Sequence, residues 1–139
     1  MRYRLDELVK LSAELGLVSR RVDADRLDVV IDDGCVLAFC NLQDEADTLV
    51  GFDGTPWHSH GLVQFMTGET TYVEYDEIEI LIALGTGDLV IISEYSDGRL
   101  HDRSLAHRHE ALDLRYMQPG DEIRVLRLPD RNGGNRRGA

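Results

Sequence analysis

Leu27-Asp28-Val29-Val30-Ile31-Asp32-Asp33-Gly34-Cys35-Val36-Leu37-Ala38-Phe39 is the stretch on which the fold turns. Its two apolar runs are rich in residues that fit a pleated surface. The Asp-Asp-Gly between them is a turn signal, so the runs are expected to pair as an antiparallel hairpin. The second run is apolar at every position. It predicts a strand inside the sheet, covered on both faces.

Upstream of the hairpin, Leu5, Leu8, Val9 and Leu15 recur at helical spacing. Asp6 and Glu7 suit the positive end of a helix and Gly16 suits its exit, which predicts a helix over residues 4–15. Downstream, residues 41–60 read as a long polar connection punctuated by Gly51, Asp53-Gly54 and Pro56. Loops of that length often carry function. Short strands are expected at 62–66 and 70–75. Residues 76–84 alternate like a strand at Glu77-Ile78-Glu79-Ile80. Asp76 followed by Glu79 resembles a capping box, Gly85 offers an exit, and Ile78, Leu81 and Ile82 form a helical stripe, so a short helix is favoured. Residues 88–95 form a clear strand, turned by Asp97-Gly98 into another at 99–105. Pro119-Gly120 turns the chain into a last strand at 122–128. The expected fold is α+β. It has an antiparallel sheet of about five or six strands, an N-terminal helix and one further short helix, in a single domain over residues 1–128. From Pro129 onward the chain is mostly Arg, Asn and Gly, and residues 129–139 are expected to form a disordered basic tail.

A chain of 139 residues fits one domain with a substantial core. Fifteen Lys and Arg oppose 26 Asp and Glu, a net charge of −11. The tail carries +2, from Arg131, Arg136 and Arg137 against Asp130, so removing it leaves −13 on the body. Such a body lacks the basic footprint of a nucleic-acid binder and is repelled by anionic membranes. It suits a basic protein partner, because opposite fields steer encounter. Cys35 and Cys40 lie too far apart on one strand to be bridged, and alternate faces, so both are expected to be reduced. With no basic-then-apolar leader and no apolar run approaching ~20 residues, a cytoplasmic location is expected.

The local feature closest to chemistry is Trp57-His58-Ser59-His60. Histidines at i and i+2 share a face of an extended segment and can supply half of a zinc, iron or copper site. His107 and His109 repeat the spacing. The plainer alternative is a structural or surface role for each pair, because a metal site needs a matched ligand set. Specific patterns fail. For a cupin-type site Gly51 stands one residue too far from His58, and Gln64 and Phe65 occupy the place of the next ligand. For a deubiquitinase-type metalloprotease, Gly68 and Thr71 fall where serine and aspartate are needed. A calcium loop from Asp23 fails at Leu27, Asp28 and Gly34. The cysteines sit in apolar contexts that raise a thiol pKa, and there is no phosphate loop, so no catalytic residue and no cofactor is expected. Trp57 reads as a packing residue or a partner anchor. Asp44, Glu45 and Asp47 read as a solvated face or the charged rim of a recognition surface.

Residues 5–128 as a whole resemble small bacterial immunity-type proteins, which antagonise polymorphic or secreted toxins. The resemblance rests on Gly54-Thr55-Pro56-Trp57-His58-Ser59-His60, on Leu84-Gly85-Thr86-Gly87-Asp88-Leu89-Val90-Ile91, and on Glu94-Tyr95-Ser96-Asp97-Gly98. It implies a small acidic α+β protein that binds and blocks a cognate toxin, without catalysis. A metal-binding domain or metal-dependent enzyme built on the two histidine pairs is the alternative, and a structural or oligomeric domain a third.

Overall fold

The computed structural model describes residues 1–43, 47–110, 112, 114, 115 and 117–130. The opening hairpin forms as its sequence predicts. Strand β2 (Arg26–Asp32) pairs antiparallel with β3 (Cys35–Asn41), placing Val29 opposite Leu37. Gly34 makes the turn at φ 72°, where a side chain would be strained. Leu27, Val29, Ile31, Cys35, Leu37 and Phe39 all face inward and are buried. Leu5 and Leu8 of helix α1 (Leu5–Glu14) join them in one hydrophobic core. The first helix thus lies where periodicity put it, with Asp6 and Glu7 in its first turn.

Strand β3 is the middle of a five-stranded antiparallel meander, β1-β2-β3-β4-β5, completed by β1 (Val18–Asp23), β4 (Thr48–Phe52) and β5 (His58–Ser59). Its second face is less covered than expected: Ala38 is buried, but Val36 and Cys40 are only half-buried. Part of the cover on that face is ionic rather than apolar. Asp28, opposite Ala38, is buried and held by Arg26 Nε at 2.8 Å, with Arg20 at 3.6 Å.

The expectation of an unbroken connection over 41–60 is corrected, because β4 and β5 both lie within it. Gly51, read as punctuation, is a strand residue. It faces His58, and a Cβ there would lie 2.8 Å from the Trp57 carbonyl oxygen. The glycine permits the close approach of β5, while Val50 and Phe52 beside it are buried. Strand β1 was not expected either. It is an edge strand, exposed along most of its length, and so has no inward apolar run to betray it.

Helix α2 (Glu77–Thr86) settles the ambiguous segment. Asp76 accepts from the Glu79 N–H and the Glu79 side chain accepts from the Asp76 N–H, a complete capping box. The exit is Gly87 at φ 84°, not Gly85. Gly85 remains helical, and a Cβ there would lie 2.7 Å from Leu15 Cδ2, so it lets α1 and α2 pack closely. The remaining strands form two smaller antiparallel sheets: β6 (Val63–Met66) with β7 (Tyr72–Tyr75), and the order β10-β8-β9 from β8 (Leu89–Ser96), β9 (Arg99–His107) and β10 (Asp121–Leu126). Val63, Phe65, Leu89, Ile91 and Leu105 from these sheets enter the same core as β2 and β3, as does Leu128. The tail expected at 129–139 lies, from residue 131 on, outside the described residues. No helix among the described residues is long and apolar enough to cross a membrane.

Candidate functional site

Strand alternation gives the three-stranded sheet a second face, turned away from the main core. Val90, Ile92 and Glu94 share it on β8, with Ala106, Ser104 and Asp102 opposite them on β9. Val90, Ile92 and Ala106 are buried there in a small apolar cluster with Ile123 of β10. A shallow basin of about 430 Å³ opens over this floor. Glu94, Asp102 and Glu110 are carboxylates in its lining, Trp57 stands at its side, and no Arg, Lys or His lines it among the described residues.

Trp57 is half-buried, with its ring 6.1 Å from that of Phe52. Its backbone N–H donates to Asp102 Oδ1 at 3.1 Å, which ties the start of β5 to β9. Asp102 Oδ1 also accepts from the Arg103 N–H at 2.8 Å. The tryptophan also borders a second hollow on the outer face of the five-stranded sheet, together with Cys40, Gly51 and His58. It therefore stands between two hollows, one over each sheet.

Of the acidic residues read from sequence, Asp44 and Glu45 lie outside the described residues. Asp47 precedes β4, whereas Trp57 lies beyond the far end of that strand, and Asp47 Oδ2 is instead 3.4 Å from His60 Nδ1. Glu94 and Asp102 were missed by sequence reasoning. Their only signal is that Glu94 continues the Val90, Ile92 face of a strand, a pattern that gains meaning once that face is known to be open.

His58 and His60 do come together, with ring centres 5.3 Å apart. Each uses Nδ1 toward a backbone carbonyl: His58 toward Pro56 at 3.0 Å and His60 toward Thr48 at 2.5 Å. His107 and His109 have ring centres 5.2 Å apart, but their nitrogens are used differently. His107 is buried, and its Nδ1 accepts the His109 backbone N–H at 3.2 Å. Burial, then the neighbouring His109, lowers the His107 pKa below its ordinary value. The two pairs do not converge into one site: no group of three or more His, Cys, Asp or Glu side chains suited to a metal occurs among the described residues. Cys35 and Cys40 form no disulfide, and burial pushes the Cys40 thiol up, away from nucleophilic readiness.

Fold and site together define a small α+β domain with an acidic, aromatic-flanked surface basin. The chain matches no protein-family model, no curated protein and no solved structure.

Proposed function

We propose that this chain is an acidic, non-catalytic binding protein of the bacterial immunity type, which captures and neutralises a basic protein toxin in the cytoplasm. The observation that carries the reading is the basin beside Trp57. Among the described residues it has an apolar floor, three carboxylates and no cation in its lining, on a body of charge −13. A cationic side chain with an apolar stem, presented by a protein surface, complements that combination. Trp57 supplies the apolar anchor, already fixed by Phe52 and Asp102, so little freedom is lost when a partner covers it. Glu94, Asp102 and Glu110 supply the field, and the acidic sequence segment Asp44, Glu45 and Asp47 steers approach.

The test is co-expression with the product of the adjacent gene, followed by co-purification and a growth assay. Growth arrest by the neighbour alone, relieved by this chain, is the expected result. Trp57→Ala should mainly speed dissociation of the complex, and Glu94→Gln with Glu110→Gln should slow association and flatten its salt dependence. A harmless neighbour that forms no complex refutes the proposal.

A further inference from the structure

We propose that His58 and His60 form a two-point chelate for a divalent transition metal, a site independent of the toxin-binding reading. The first argument is spacing. With about 2.0–2.1 Å from metal to nitrogen and roughly 1.1 Å from nitrogen to ring centre, two imidazoles at a tetrahedral angle have centres about 5.2 Å apart. The observed separation is 5.3 Å.

The second argument is protonation. A carbonyl oxygen only accepts, so His58 Nδ1 facing Pro56 O and His60 Nδ1 facing Thr48 O must both carry the proton. In each neutral ring the lone pair then resides on Nε2. This is the arrangement of metal-bound histidines, whose second nitrogen donates to a carbonyl or carboxylate and holds the ring in place. His60 has both kinds of partner, with Asp47 Oδ2 3.4 Å from the same Nδ1. Both side chains are exposed, so a metal reaches them without any rearrangement of the core.

The other histidine pair shows that spacing alone is not the argument. His107 and His109 match the distance, but His107 spends its Nδ1 lone pair on a backbone N–H and therefore carries its proton on Nε2. Metal binding there would cost a buried hydrogen bond.

With no third protein ligand among the described residues, the remaining positions on the metal go to water or to a donor from another molecule, such as an imidazole or carboxylate. Imidazole pairs favour Cu²⁺, Ni²⁺ and Zn²⁺ over Mg²⁺ and Ca²⁺.

The experiment is calorimetric titration of Ni²⁺ into the full, tag-free chain at about pH 7.5, where unpaired imidazoles are neutral. The expected result is one ion per chain. His58→Ala and His60→Ala should each weaken binding roughly tenfold or more, because the chelate's second bond is intramolecular. The His107→Ala, His109→Ala variant should retain it. Unchanged melting of the His58 and His60 variants without metal verifies that they fold. Binding that survives the His58→Ala, His60→Ala double variant overturns the proposal. So does binding that follows His107 and His109, or no stoichiometric saturation below about 1 mM Ni²⁺, where affinity falls to the level of weak single contacts.

Discussion

Glu77 is the most consequential buried charge in the fold, and Glu77→Ala measures what joins the two helices. The side chain is 1% exposed at the first position of α2. One carboxylate oxygen accepts the backbone N–H of Arg4, the N-cap of α1, at 2.7 Å. The other accepts from the Arg4 guanidinium at 3.1 Å. One carboxylate thus caps α1 while sitting at the positive end of α2. Hydrogen bonds to a charged group contribute about 1.5–3 kcal/mol each, and alanine removes both. Because the Arg4 guanidinium is open to water, only the backbone N–H bond is counted, giving about 1.5–3 kcal/mol for Glu77→Ala. For a domain of this size that corresponds to a fall in melting temperature of roughly 3–15 °C. Urea denaturation at equilibrium reads it as a lower midpoint at unchanged slope. Arg4→Ala should lower the melting temperature less, since the backbone N–H still reaches Glu77. A loss under ~1 kcal/mol for Glu77→Ala would refute the reasoning, because it would mean that the buried carboxylate gains little from either partner.

Gly51→Ala places a Cβ against the Trp57 carbonyl oxygen and within 3.1 Å of His58 Cβ, so β5 must move away from β4. We expect a stability loss of about 1–3 kcal/mol by urea denaturation, with the proposed Ni²⁺ binding and the proposed toxin binding weakened in the same variant. For His107, the folded pKa lies below the ordinary value, so the unfolded chain takes up a proton first as the pH falls. Stability should therefore decline as pH drops through ~6.5, and the decline between about pH 7.5 and 5.5 should be shallower in His107→Gln when followed by thermal melting.

Where the determinants of structure are local, the sequence shows them. Asp76 and Glu79 form their capping box from residues three apart, and the Asp32-Asp33-Gly34 turn makes its hairpin from contiguous residues. Where they come from across the sheet, it does not. Residues 18–23 show no apolar alternation, and the role of Arg20 comes from the neighbouring strand, where it lies opposite Asp28 and helps cover its carboxylate. Gly51 looked like a loop residue because its reason for being small, the carbonyl of Trp57, belongs to a strand that cannot be seen until β4 and β5 pair. Together with the polar run before it and Asp53-Gly54 and Pro56 after it, that glycine made two strands look like a connection.

The same division runs through the candidate sites. That His58 and His60 share a face follows from a spacing of two, but which ring nitrogen bears the proton does not. It is decided by the Thr48 carbonyl, twelve residues earlier, and by the Pro56 carbonyl beside the turn. His107 and His109 have the same spacing and the opposite protonation at the first histidine, so the motif alone is degenerate and the backbone around it carries the distinction. The basin is further still from the sequence, because its parts are scattered. Trp57, Glu94, Asp102 and Glu110 come together only because Asp102 binds the Trp57 N–H and because β8 turns Val90, Ile92 and Glu94 away from the core. Trp57 packs against Phe52 and borders both hollows, whereas its neighbour His58 borders the outer one alone. The aromatic anchor and the histidine chelate are therefore adjacent in sequence yet separable by point substitution. Only a change such as Gly51→Ala, which moves the strand itself, is expected to disturb both.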